Sequence, residues 1–451
     1  MAGGKFNRQT GKVRPGTYVN FEALVAAGLG VPVRGIVIMP LPLNWGPKQT
    51  FVTIEAVAPD AQFNKLGYAV KDNDTAGNML YIREALKKAQ TVIVYRLAGG
   101  VKAAVTAGAL TATAKYEGTR GNNLKVVIVA NAVSGYDVMV YLDTTVVFEQ
   151  AGAEIVGDME ANDWVDWSGT AASALTTTAG SSLTGGSDTA PVNSDITKFL
   201  DDSEVVSFNS MCFPYTDGTL QTALKTKIAY FRDDAGKKVT AAVPSFTGAD
   251  YEGIISVING VILADGTTLS ASQACAWVAA ADAAATNIMS NTYLAYDGAV
   301  DVNGKKTNEQ SIAAINAGSF CFSLVNGQAV VEYDINSLTT FTAPKSKDYR
   351  KNRVRRVLDT FEESLQLNFP PNKFDNAEEA EGSVRPGWNC MESLGQQILT
   401  AFRDAGAIKN VDLENDFVVD RTASIDDETF FNVGLEPVDS AEKLYFTVVT
   451  R

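Results

Sequence analysis

The order of patterns along this chain predicts a multidomain protein of mixed α/β and α+β class, and three observations carry that reading. Two short apolar runs, at 35–40 and 91–96, flank a stretch at 78–89 with helical spacing, which is the strand–helix–strand order of an α/β layer. From 99 to about 187 the composition shifts to Thr, Val, Ala and Gly, with alternating segments separated by turn residues, as in an inserted β-sandwich or small barrel. The α/β character returns at 195, and a last unit runs from a basic helix to a terminal strand. A length of 451 residues accommodates several such domains.

Residues 1–21 read as an N-terminal arm. Lys5, Arg8, Lys12 and Arg14 stand there without an acid, and 17–21 reads as a short strand with little apolar material to fold alone. The first part of the α/β body covers 22–98. In its helix, Met79, Leu80, Ile82 and Leu86 fall on one side, with Arg83, Lys87 and Lys88 on the other. The inserted β-rich domain occupies 99–190, with strands at 110–116, 124–130, 136–142 and 145–150. Its last part, 168–190, is almost wholly Gly, Ser, Thr and Ala and reads as a linker or long loop.

The body resumes over 191–335. Helices are predicted at 196–202, 218–235 and 270–289, the last capped by Ser270 or Ser272, with strands at 205–209, 239–243, 254–261 and 320–325. Asn326-Gly327 between two apolar runs specifies a hairpin, because both residue types accept the positive φ of a type I′ turn. The C-terminal unit, 336–451, carries helices at 344–368 and 389–405 and ends in a strand at 443–451. Its first helix starts with Lys345, Lys347, Arg350, Lys351, Arg353, Arg355 and Arg356 against Asp348 alone, whereas 375–442 holds 16 acids and 4 bases. A net charge of −14 counts against non-specific nucleic-acid binding. The basic run therefore suits contact with acidic protein surface, its own or a partner's.

Catalytic signals are missing. The chain has no histidine, which removes imidazole acid–base chemistry and His–metal sites. Cys212, Cys275, Cys321 and Cys390 lie too far apart for a CxxC motif, so buried thiols in a reducing compartment are expected. No phosphate-binding GxxxxGK[ST] loop occurs. Asp201-Asp202, Asp233-Asp234 and Asp426-Asp427-Glu428 lack the framing of a metal loop and read as helix ends and solvated turns. No catalytic residue, metal or cofactor is assigned. No apolar stretch is long enough for a membrane span and the first ten residues are polar, so a soluble protein without a cleaved export signal is expected.

Four strings carry a resemblance: VRPGTYVNF at 13–21, AKYEGTRGNNL at 114–124, VEYDINSLTTF at 331–341 and KNRVRRVLD at 351–359. In this order and spacing the chain resembles, from end to end, the contractile phage tail sheath protein family, including sheaths of phage-tail-like bacteriocins and defective prophages. The resemblance implies a tail-sheath fold, with an α/β body, an inserted outer β-domain and a C-terminal assembly domain with exchanged terminal strands. It implies a structural subunit, not an enzyme, that polymerises helically in stacked hexameric rings around a tail tube. Contraction of that cylinder would drive the tube through the target cell envelope.

The implied partners are further copies of the chain, the tube protein, and baseplate and terminator proteins, with no membrane and no direct nucleic acid. The particle would be a virion tail or bacteriocin, assembled in the bacterial cytoplasm and released by lysis. Thr17, Tyr18, Val19, Asn20 and Phe21, with Leu444, Tyr445, Phe446, Thr447, Val448 and Val449, are the expected donated strands, since an apolar strand on an arm is what β-strand addition requires. Lys347, Arg350, Lys351 and Arg353 on the first C-terminal helix, or Arg403 and Lys409 at the second, are the candidates to face the tube. The competing readings are a cytosolic enzyme using carboxylate or lysine chemistry and a surface adhesion protein.

Overall fold

The computed structural model describes residues 34–74, 76–378 and 386–450, so the strand expected at 17–21 lies outside the described residues. The chain divides into two units. The larger comprises Val33–Asp359, Gly406–Lys409 and Pro437–Arg451; the smaller includes Thr360–Ala405 and Asn410–Glu436.

The larger unit opens with β1 (Ile36–Leu41), β2 (Phe51–Glu55), the one-turn α1 (Phe63–Leu66), α2 (Asn78–Leu86) and β3 (Thr91–Arg96). β1 and β3 pair in parallel, Ile36 opposite Thr91 through Leu41 opposite Arg96, and β2 adds antiparallel at the edge. The inserted segment follows: β4 (Gly100–Val101), β5 (Ala104–Ala107), β6 (Leu110–Ala114), β7 (Leu124–Ala130), β8 (Tyr136–Leu142), β9 (Thr145–Ala153), β10 (Val165–Ser168), β11 (Thr178–Ser182) and β12 (Ser187–Asp188). It forms two sheets, β10-β6-β5 and β11-β7-β8-β9. Leu124, Val126, Val138 and Val140 alternate inward with Ala112, Ala114 and Trp164 to make a separate sandwich core.

The Gly/Ser/Thr run expected as a linker instead supplies β11 and β12. An edge strand of Thr, Ala, Gly and Ser lacks the apolar alternation that marks a strand in sequence, and its register on β7 shifts between Thr178 and Ser181. β12 pairs with β4, Ser187 opposite Val101, so the chain enters and leaves the sandwich side by side.

The body then adds α3 (Asn193–Asp202), β13 (Ser210–Cys212), α4 (Gly218–Ala229), β14 (Thr240–Pro244), β15 (Ile254–Val257), β16 (Gly260–Leu263), α5 (Ala271–Ala284), β17 (Ala299–Asn303), α6 (Asn308–Asn316), β18 (Ser319–Phe320), β19 (Phe322–Val325) and β20 (Gln328–Val331). The central sheet runs β18-β15-β14-β13-β1-β3-β2 and is parallel except at β2. α2 and α5 cover one face around Trp277, and Phe199, Leu224 and Phe231 of the α3–α4 region cover the other. Covering on both faces explains why the central strands read as continuous apolar runs.

Local chemistry sets several boundaries that sequence patterns misplaced. The strand expected at 205–209 begins only at Ser210, because Ser203–Val205 closes a 3₁₀ turn. The run 254–261 splits into β15 and β16 at Asn259, whose buried amide exchanges hydrogen bonds of 2.8 and 2.9 Å with the Phe322 backbone. α5 starts at the Ser270–Gln273 capping box but ends at Ala284, where Ala285 turns extended. The Asn326-Gly327 hairpin forms as expected, with φ of 50° and 79°. Cys212, Cys275 and Cys321 are buried, whereas Cys390 is exposed.

α7 (Asn352–Asn368) follows a 3₁₀ turn at Lys347–Arg350, replacing the single helix expected from 344. In the smaller unit α8 (Trp388–Asp404) lies against β22 (Phe417–Val419), which pairs with β23 (Phe431–Val433); the short β21 (Ile408–Lys409), between α8 and β22 in the chain, belongs to the larger unit. The core there is aromatic: Phe361 meets Phe402 edge-on at 5.4 Å, and the Phe417 ring lies 5.8 Å from Phe369 and 5.4 Å from Phe431. Among the described residues the strand predicted at 443–451 is not formed, since 441–450 pair with no other described segment. A strand needs an edge to pair with, and the described residues offer this segment none.

Candidate assembly site

The basic run spans the 3₁₀ turn at Lys347–Arg350 and the start of α7, and its residues have different tasks. Arg355 and Arg356 point into the body. Arg356 is fully buried and reaches Asp282 at 2.7 Å, Asp334 at 2.8 Å and the Met289 carbonyl at 2.8 Å. Arg355 bridges Asp282 at 2.7 Å and Asp359 at 2.8 Å, and Arg232 closes the network on Asp359 at 2.7 Å. Thr240 donates its hydroxyl to Asp282 at 2.8 Å. Three guanidiniums thus face three carboxylates, which is what lets six charges lie in the interior. Burial alone would raise the Asp282 carboxyl, but Arg355 and Arg356 outweigh it and hold the group down at about 2.

Lys351 and Arg353 hold the root of the C-terminal segment. Lys351 Nζ pairs with Asp439 at 2.6 Å and Glu442 at 2.8 Å, and Arg353 donates to Ser440 Oγ at 2.6 Å. The other oxygen of Glu442 accepts from Ser290 at 2.6 Å and Thr292 at 2.7 Å. Burial works against the charge on Lys351, yet its hydrogen bonds to Asp439 and Glu442 keep its pKa above the ordinary lysine value.

The segment changes character just beyond this anchor. Tyr445 is 89% and Phe446 83% exposed, and Leu444, Val448 and Val449 are similarly uncovered. Five large apolar side chains in a row of six residues, exposed to this degree, form a surface that monomeric soluble proteins seldom leave open.

The remaining residues singled out in the sequence fall differently. Arg350 is buried, not on the surface, and no carboxylate among the described residues meets its side chain. Lys347, Arg403 and Lys409 are exposed, with Arg403 paired to its own neighbour Asp404 at 2.9 Å. Thr17 to Phe21 lie outside the described residues. Sequence reasoning missed Asp282, Asp334 and Asp359 as partners of the basic run, and Asp439 and Glu442 as anchors. The only signal for either set was an imbalance, six more cations than anions over twelve residues.

The acidic pairs are structural. Asp202 accepts from the Tyr95 hydroxyl at 2.6 Å and from Lys198, and Asp233 accepts from Tyr251 at 3.1 Å. Among the described residues no group of His, Cys, Asp or Glu is arranged to hold a metal ion.

Comparison with known proteins gives one consistent family. Residues 34–97 match the tail sheath protein Gp18 domain III N-terminal region, 98–188 the phage tail sheath protein beta-sandwich domain, 189–337 the phage tail sheath protein central domain, and 344–451 the phage tail sheath C-terminal domain. The phage-like element PBSX protein XkdK of Bacillus subtilis is 35% identical, over 99% of each chain. The crystal structure of a sheath tail protein from Desulfitobacterium hafniense is 42% identical and superposes with a TM-score of 0.84, covering 96% of this chain and 99% of that one. A sheath tail protein from Listeria innocua is 34% identical with a TM-score of 0.76, covering 93% and 96%.

Proposed function

The chain belongs to the phage tail sheath protein family, and from that premise we propose that it polymerises as a helical cylinder of stacked rings around a tail tube and contracts to drive the tube through a cell envelope. The observation that carries the assembly step is the C-terminal segment, anchored at Asp439–Glu442 by Lys351 and bare from Leu444 to Val449. Strand addition to a neighbour's sheet edge would pair its backbone and cover those side chains.

An exchanged strand of about five residues adds roughly four or five hydrogen bonds at ~0.5–1.5 kcal/mol net each, before apolar burial. Residues 17–21 of the N-terminal arm supply the second donated strand in this reading. Two arms per subunit keep neighbours linked while compact domains rotate, so contraction proceeds as rigid-body motion toward a packing with more interface. The tube is met through charge, which salt can screen and motion can release. Arg403, exposed on α8, is the first candidate for that contact, and Lys409 and Lys347 are tested separately. The assembled particle is a phage tail or a headless bacteriocin, and the tube, baseplate and terminator proteins are its other partners.

Negative-stain microscopy of the purified chain tests this reading. Tubes or rings of uniform diameter are expected from the full chain, and folded monomers from a chain ending at residue 443. Cylinders formed by the shortened chain would show that the C-terminal segment is not the linking strand.

A further inference from the structure

We propose that the groove beside Arg350 receives an acidic side chain from a second copy of this chain, supplied by that copy's turn Asp426-Asp427-Glu428. The inference rests on the self-assembly reading above and adds a second, electrostatic link to it. Arg350 is only 9% exposed, and its Nε and Nη2 donors have no hydrogen-bond partner among the described residues. The cations that follow it in the basic run are engaged: Lys351 with Asp439 and Glu442, Arg353 with Ser440, and Arg355 and Arg356 with buried aspartates.

A guanidinium out of water without an anion has given up hydration and received nothing in return. Nε and Nη2 lie on one edge of the guanidinium, the edge a carboxylate grips with both oxygens. Arg350 lines a groove of about 460 Å³ whose wall also carries Lys347, Lys351, Lys443 and Tyr333, against the carboxylates of Asp348 and Glu442. Lys351 and Lys443 sit over the Tyr333 ring at 5.5 and 5.8 Å, and although Glu442 already pairs with Lys351 the groove keeps an excess of cations in a protein whose net charge is −14.

The turn has the complementary chemistry. Asp426, Asp427 and Glu428 are all exposed and make no ion pair among the described residues. Reciprocal backbone hydrogen bonds between Ile425 and Glu428, at 3.1 and 3.0 Å, fix the turn, and Asn376 donates to the Asp426 carbonyl at 2.9 Å. The carboxylates are therefore presented on a braced turn, with little ordering left to be done on docking. Groove and turn are different surfaces, so the contact is head-to-tail and propagates as an open helix.

The test uses the full chain and two variants confined to exposed residues, Lys347→Glu at the groove and Asp426→Lys/Asp427→Lys/Glu428→Lys at the turn. Each should raise the protein concentration needed for polymers about tenfold in a sedimentation assay, and combining them should recover part of the loss. With Cys390→Ser as background, Lys347→Cys and Asp427→Cys together should give disulfide-linked ladders from the polymer and none from the monomer. A reversed turn that polymerises at the wild-type concentration overturns the inference. So does normal sheath assembly with lost tube binding, which would assign the groove to the tube. A wild-type chain that never polymerises overturns the assembly reading and this inference together.

Discussion

Arg356 shows why residue type and charge count are poor guides to position. In sequence it is one of seven cations in a run that suits a surface; in the structure it is fully buried among Asp282, Asp334 and a backbone carbonyl. Only the apolar stripe of Val354, Val357 and Phe361 was legible; at about 100° per residue Arg355 and Arg356 fall on the far side of α7 from it, and they are buried because the body covers that side too. Their partners were not, because Asp282 is 73 and 74 residues distant in sequence.

The network makes a sharp prediction. The Asp282 carboxyl titrates near 3.9 when unfolded and is held at about 2 when folded, so its stabilisation is complete above about pH 5 and disappears as the pH falls from about 4 through 2. Asp282→Asn leaves Arg355 and Arg356 short of one negative charge. At pH 7 it should lower the unfolding free energy by roughly 3 kcal/mol or more. In urea titrations the gap between variant and wild type should close as the pH approaches 2; a gap constant with pH would remove Asp282 as the titrating group.

Elements with a strong local signal were legible at their centres. The apolar strands β1 and β3, the alternating β7 and β8 and the Asn326-Gly327 hairpin all stand where their patterns put them. β11 was not legible, because Thr, Gly and Ser at a sheet edge look like a loop. Residues 443–451 looked like a strand because apolar composition shows a wish to pair and says nothing about where the partner is.

In the smaller unit one glycine sets the packing of α8. Gly395 faces Phe417, and a Cβ at that position would overlap the Phe417 ring, which is 2% exposed and hemmed in by Phe369 and Phe431. Gly395→Ala gains about 1 kcal/mol of helix propensity. Overpacking against a ring that cannot swing away costs about 1–3 kcal/mol. The net effect should be destabilising, read as a lower midpoint for the unfolding transition of this unit. A raised midpoint would mean that α8 can shift off β22.

At the scale of the whole molecule, the β-sandwich is built as a separable insert. It leaves the central sheet after β3, and its entry and exit strands, β4 and β12, are hydrogen-bonded to each other. Its core of Leu124, Val126, Val138, Val140 and Trp164 is distinct from the two cores that cover the central sheet. The elements proposed for assembly, the C-terminal segment and the Arg350 groove, lie elsewhere in the sequence. Replacing 102–186 by a short Gly/Ser linker therefore bridges two adjacent strands and leaves the seven-stranded sheet intact.

The cost of that excision falls at the junction. Trp45, fully buried, packs against Tyr116 at 5.3 Å and Trp164 at 5.8 Å, and the Arg96 guanidinium donates to the Glu117 carbonyl at 3.0 Å. Losing those contacts uncovers a tryptophan, worth about 2–3 kcal/mol of burial, which a body of this size can absorb. The shortened chain should remain folded by circular dichroism, with a lower melting temperature, and should still form cylinders with a thinner wall by electron microscopy. Thinner cylinders would place the sandwich on the outside and assign the subunit links to the body and the C-terminal segment. Folded monomers that form no polymer would instead make the sandwich a third link between neighbours.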